Sequence, residues 1–152
     1  LFEWSMIAGG TVAGLGTDDL AHLGRAGIQT GIAFQMVDDT LDLAESAGST
    51  GKDTLLDLRE GKLTWPLIIA SERDPRLLDE FEQISKDPTR LDDGDYVGDL
   101  RRRIVATGCV EETLNRANDW ADDARTEIAF LTQGPARRAL ETVVDISVRR
   151  TL

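Results

Sequence analysis

Basic residues, cysteine, histidine and aromatics are all scarce in this chain. Lys and Arg number 17 against 28 Asp and Glu, for a formal net charge of −11 at pH 7. A nucleic-acid surface needs a basic patch. The one basic run, Arg101-Arg102-Arg103, is short, sits in a helical pattern and reads as a solvated face, so nucleic acid is not an expected partner. A single cysteine, Cys109, excludes an intrachain disulfide and makes a reducing, cytoplasmic setting the expectation. Neither Cys109 nor the lone His22 has the Cys/His neighbours of a transition-metal site. No apolar run approaches the roughly 20 residues that span a bilayer, so no transmembrane segment is expected. Strand signals are scarce too, because period-2 alternation is weak and β-branched runs are short.

What recurs is the 3.6-residue period, which predicts one all-α unit with no internal repeat and no linker. Residues 1–15 read as an apolar helix end whose Gly9, Gly10 and Gly14 permit close helix contact. The chain opens at Leu1 without a Met, inside that apolar stretch, which suggests a fragment. Thr17 is the expected cap of a helix from about Asp18 to about Glu45, with Asp18 and Asp19 at its positive end. A polar loop over 47–53 and a short turn or helix over 54–60 follow. Helices are expected over 63–73 with Pro66 in the first turn, 75–85, and 96–107 ended by Gly108, with a loop over 86–95.

Val110, Leu114, Ala117, Ala121, Ala124, Ile128 and Leu131 repeat at steps of four and three, the stripe of a long amphipathic helix. Gly134-Pro135 breaks it before a last helix over 136–149. Trp4 and Trp65 are expected in the core, as large aromatics dominate helix packing.

One segment departs from this plain pattern: GIAFQMVDDTLDL, residues 31–43. Asp38 and Asp42 are four apart and share a helix face, while Asp39 is turned away by about a hundred degrees. Two carboxylates on one face beside apolar neighbours repel unless something positive lies between them. Mg²⁺ suits that position, since it takes hard oxygen ligands, keeps waters and shares the rest with phosphates. The acids alone also suit an exposed helix face. The next segment, GKDTLLDLREGKLTWPLI over residues 51–68, adds two Gly-Lys pairs, Lys52 and Lys62, with Asp57, Glu60 and Thr64 among them. A lysine can reach over a bound phosphate as a flexible point charge. Acids that hold a metal and lysines beside them make one coherent diphosphate site.

In this order and spacing the two segments resemble the trans-isoprenyl diphosphate synthases, the polyprenyl synthetases. Their second aspartate-rich motif has Gly, then Phe-Gln, then DDxxD, here Gly31, Phe34-Gln35 and Asp38-Asp39-Thr40-Leu41-Asp42. The family continues with Gly-Lys, Asp-Leu, Glu-Gly-Lys, Thr and Pro, here Gly51-Lys52, Asp57-Leu58, Glu60-Gly61-Lys62, Thr64 and Pro66. The resemblance covers nearly the whole chain, and its strong motifs lie within residues 31–66.

It implies the C-terminal portion of an all-α helical bundle of the isoprenoid synthase type, condensing an allylic diphosphate head to tail with isopentenyl diphosphate. Asp38 is the implied direct Mg²⁺ ligand, Asp42 a direct or water-mediated one, and Asp39 a member of the supporting network. Lys52 matches the lysine on the leaving diphosphate, Lys62 is a second candidate for that task, and Phe34 and Gln35 match residues near the isopentenyl unit and the reacting carbons. The family's first aspartate-rich motif is not within the chain: Asp92-Asp93 and Asp122-Asp123 both lack the third Asp. The missing N-terminal half is therefore an implied partner, and a homo-oligomer is the family's common state. The absent motif also leaves open a non-catalytic partner or regulatory subunit with the same fold. Thr54-Leu55-Leu56 stands where the family often has a small residue and Gly before the Asp, which alters the shape of the loop.

Overall fold

A run of proline and aspartate punctuation separates the helices, and it survives in three dimensions. The computed structural model describes residues 1–44 and 55–149. Among the described residues eight α-helices follow one another: α1 Phe2–Val12, α2 Thr17–Ala44, α3 Leu56–Arg59, α4 Trp65–Arg73, α5 Pro75–Lys86, α6 Gly94–Ala106, α7 Cys109–Glu127 and α8 Pro135–Val148. No strand occurs among the described residues, as the sequence pattern predicts. Among them, no helix is long and apolar enough to cross a membrane.

Pro66, Pro75 and Pro135 each sit in a first turn, where the missing N–H leaves no bond unmade. The segment expected as a loop over 86–95 is more ordered than its composition suggests. Pro88–Asp92 forms a 3-10 turn, capped by Asp87, whose Oδ1 accepts the Thr89 N–H at 3.3 Å. Asp93 then starts α6 two residues early, accepting the N–H groups of Asp95 at 3.0 Å and Tyr96 at 3.3 Å. At α2 the expected cap is displaced: Thr17 already lies in the first turn, and the carbonyl of Gly16 accepts the Leu20 N–H. The long helix ends at Glu127, and Ile128–Phe130 tightens into a 3-10 turn.

The described chain divides into two compact units. One comprises Leu1–Val37 with the described residues from Asn115 onward, and the other Asp38–Leu114; α2 and α7 contribute to both. In the first unit, Met6, Leu23, Ala26 and Ile128 make one apolar cluster, and Ala121, Ala124 and Val144 another. Backbones approach closely here. A Cβ on Gly27 would lie 2.5 Å from Cα of Glu3, so only glycine admits the α1–α2 crossing. Gly9, by contrast, faces open space, and Gly14 takes a positive φ of 76° in the turn after α1. Polar ties join the periphery: Glu127 accepts from Arg25 Nε at 3.0 Å and meets His22 Nδ1 at 2.7 Å.

The second unit is built on larger side chains. Leu43, Leu55, Leu67, Leu77, Ile84, Leu100 and Ile104 are all nearly or fully inaccessible. Glu80 of α5 ties two residues of α6, accepting from the Tyr96 hydroxyl at 2.8 Å and pairing with Arg103 at 2.7 Å. Burial and then Glu80 push the Tyr96 phenol up to about 12, so it stays a neutral donor. Arg103 is thus not part of a free solvated face. Nor is Arg101, whose Nε donates to the carbonyl of Leu43 at 2.5 Å.

The tryptophans are a second correction. Trp4 is 70% and Trp65 45% exposed, and neither belongs to the core clusters. Leucine, isoleucine and alanine fill the interior instead. Cys109 lies fully buried, where burial raises its thiol, so it is an unreactive packing residue.

Candidate functional site

α2 carries the aspartate-rich stretch in its last two turns. Met36, Val37, Thr40 and Leu43 point inward and are buried, while Asp38, Asp39 and Asp42 are each half-buried. This is the outcome of the 3.6-residue period: with 37, 40 and 43 inside, 38 and 42 share the outer flank. Phe34 and Gln35 lie on α2 within the first unit. Gln35 is exposed, and the Phe34 ring packs at 5.5 Å from that of Phe2, tilted by 47°.

Asp42 binds the start of α3. Its Oδ1 accepts the N–H of Leu56 at 3.0 Å and its Oδ2 that of Asp57 at 3.3 Å. It therefore caps α3 from fourteen and fifteen residues upstream. Leu55, just before these amides, takes a left-handed conformation with φ 58° and ψ 36°. A non-glycine residue there costs roughly 1–3 kcal/mol. Leu55 lies in the stretch where the family resemblance puts glycine, and its side chain is fully buried, which holds the strained backbone in place. On the other side of α3, Arg59 donates to Asp92 Oδ1 at 2.9 Å and to the carbonyl of Leu91 at 2.7 Å.

Lys62 follows directly. Its Nζ lies 2.6 Å from Glu60 Oε2 and 3.5 Å from Asp57 Oδ1, and Glu60 first, then Asp57, hold its ammonium above the ordinary lysine range. Its backbone N–H donates to the Asp57 carbonyl at 2.8 Å, and Gly61 makes the turn with φ 74°. So the structure brings Asp42, Asp57 and Lys62 into one bonded series. Lys52 lies outside the described residues. Among those described, no three His, Cys, Asp or Glu side chains converge as a ready-made metal cage. The donor set nevertheless suits Mg²⁺, which uses one or two carboxylates and completes its shell with water and phosphate. A carboxylate that accepts two N–H bonds still has lone pairs to offer.

Sequence reasoning missed the capping role of Asp42 and the Arg101 bond to Leu43. The first carried no signal beyond the acid motif itself. The second was hidden because an amphipathic helix pattern does not say which arginine reaches a carbonyl.

The family model for polyprenyl synthetase matches residues 1–97. The chain belongs to the polyprenyl synthetase family. It is 31% identical over 153 residues to the octaprenyl diphosphate synthase of Escherichia coli, an alignment that covers 99% of this chain and 46% of that protein. The nonaprenyl diphosphate synthase of Mycobacterium tuberculosis is 30% identical over 142 residues, covering 93% of this chain and 42% of that one. Among solved structures, the polyprenyl synthase of Caulobacter crescentus, complexed with calcium and isoprenyl diphosphate, superposes with a TM-score of 0.82 at 33% identity. That superposition covers 98% of this chain and 45% of the other. The all-α architecture is that of the isoprenyl diphosphate synthases, and the chain spans less than half the length of these relatives.

Proposed function

We propose that this chain is the C-terminal half of a trans-prenyl diphosphate synthase, the half that grips the allylic diphosphate. The observation that carries the reading is the end of α2. There Asp38 and Asp42 sit half-buried on one flank, and Asp42 binds the start of α3, which leads to Lys62, in a chain of the polyprenyl synthetase family. Asp38 and Asp42 would hold Mg²⁺, with Asp39 in the surrounding hydrogen-bond network. Held there, Mg²⁺ would supply positive charge against the diphosphate leaving group. Calcium, another hard divalent ion, accompanies isoprenyl diphosphate in the Caulobacter relative, which supports an oxygen-ligand site of this kind.

Lys52 and Lys62 meet the leaving diphosphate with positive charge, which lowers the barrier most where charge develops. Phe34 and Gln35 flank isopentenyl diphosphate and the reacting carbons, and apolar walls keep water from the cation. The rest of the metal and substrate shell comes from an N-terminal half bearing the first aspartate-rich motif. The complete enzyme would work as a homo-oligomer, and the 152 residues alone would turn over weakly or not at all.

The test is titration calorimetry of the chain with inorganic diphosphate or a bisphosphonate, with and without Mg²⁺. Mg²⁺-dependent binding that Asp38→Ala abolishes, at unchanged helicity, is the expected result; binding indifferent to Asp38 sinks the ligand assignment. In parallel, the full-length parent is given Mg²⁺, isopentenyl diphosphate and a short allylic diphosphate, and its prenyl products are sized. No product from a parent that contains the upstream motif would turn the reading to a non-catalytic partner subunit.

A further inference from the structure

The acid motif and the lysine segment are two sets of ligands joined by direct bonds. The bonding at their junction says more. Asp42 does not merely stand near α3: both of its oxygens are engaged by the first amides of that helix. Leu55 is left-handed and the residues after it are helical, so successive N–H groups turn inward and form a small anion-binding nest. Asp42 is the anion in that nest. The same amide that Asp42 Oδ2 holds belongs to Asp57, whose side chain meets Lys62 Nζ and whose carbonyl accepts the Lys62 N–H. The carbonyl of the next residue of α2, Leu43, is clamped by Arg101. The end of α2 is therefore fixed by one arginine, and it fixes α3 by one aspartate.

We propose that Asp42 is a positioning residue: it latches α3 to the end of α2 and thereby sets the place of Lys62 before any metal or diphosphate arrives. The proposal rests on the assigned role of Lys62 and adds a task to Asp42 beyond ligation. Asp38 lies one turn earlier on the same flank. Strain at Leu55 is what the latch sustains. A left-handed leucine persists only where its surroundings over-determine it, here the buried side chain and the two amide bonds together.

The experiment uses the metal-free chain with no diphosphate present. Amide hydrogen exchange is followed at Leu56 and Asp57, and reductive ¹³C-dimethylation gives the three lysines NMR signals, of which that of Lys62 reports its acidic neighbours. In Asp42→Asn, exchange at Leu56 and Asp57 should speed up about tenfold or more, with Leu100 and Ile104 unchanged, because an isosteric amide offers one acceptor oxygen in place of two. The Lys62 signal should move toward that of an unpaired lysine. Exchange at Leu56 and Asp57 that is unaltered in Asp42→Asn overturns the latch. Faster exchange with an unmoved Lys62 signal overturns the positioning role. If Asp42→Asn fails to fold, Asp42→Ser serves in its place, with the same pattern expected. Absence of Mg²⁺-dependent diphosphate binding in the parent chain would count against the proposed function alone, since neither readout involves metal or diphosphate.

Discussion

Each of the two units of this chain is packed internally, and each by a different means. In Asp38–Leu114 the interior is filled with leucine and isoleucine, and arginines reach across to carbonyls and carboxylates. In the unit that contains α1 and α8, small residues let backbones approach: Ala117, Ala121 and Ala124 are fully buried, and Gly27 meets the α1 backbone directly. One region is stabilised by volume, the other by proximity. Removing atoms should therefore damage the first most, and adding them the second.

The largest effect is expected from Leu100→Ala in the leucine-rich unit. Leu100 is fully buried, and its truncation should cost about 3 kcal/mol in urea unfolding through lost transfer energy and a residual cavity. Gly27→Ala tests the other half of the comparison. Its new Cβ meets backbone, not a yielding side-chain tip, and should cost about 2 kcal/mol, with amide exchange rising in α1. If Gly27→Ala proves neutral, the contrast between volume and proximity fails.

Asp93→Ala should cost about 1 kcal/mol, since it strips the cap from α6 and leaves the Asp95 and Tyr96 amides without that acceptor. The smallest effect concerns pH. Arg25 first, and then His22, hold the Glu127 carboxyl below its ordinary value of 4.5. A depressed folded-state value means that the stabilisation is present above pH 4.5 and is lost as the pH falls below it. Glu127→Gln should flatten the melting temperature against pH in that acid range.

Much of this was legible before any coordinates. The 3.6-residue period placed all the long helices, because buried faces must recur at that spacing whatever their neighbours. Pro135 started α8 for covalent reasons that no tertiary contact overrides, whereas α7 ended at Glu127, short of the expected Gly134-Pro135 break. Asp38 and Asp42 were placed on one flank by the same arithmetic. What stayed hidden depends on partners distant in the chain. Asp42 needs α3 folded back beside it, Arg101 needs the end of α2, and Trp4 shows a large aromatic left outside because smaller residues already filled the space. The capped turn over Pro88–Asp92 was a local matter that composition masked, since Asp and Thr suit loops and caps equally.

The tie between Asp42 and α3 also bears on how this segment can change over generations. The bonds join residue 42 directly to residues 56 and 57, closing the intervening chain into a ring. The length of that ring enters stability only through the entropy of closure, and doubling it costs about 0.6 kcal/mol. Closure therefore sets only a weak limit on the number of residues between the two anchors, while the clamped Leu43, the buried, left-handed Leu55 and the lysine assigned to the diphosphate, Lys52, limit which residues they are.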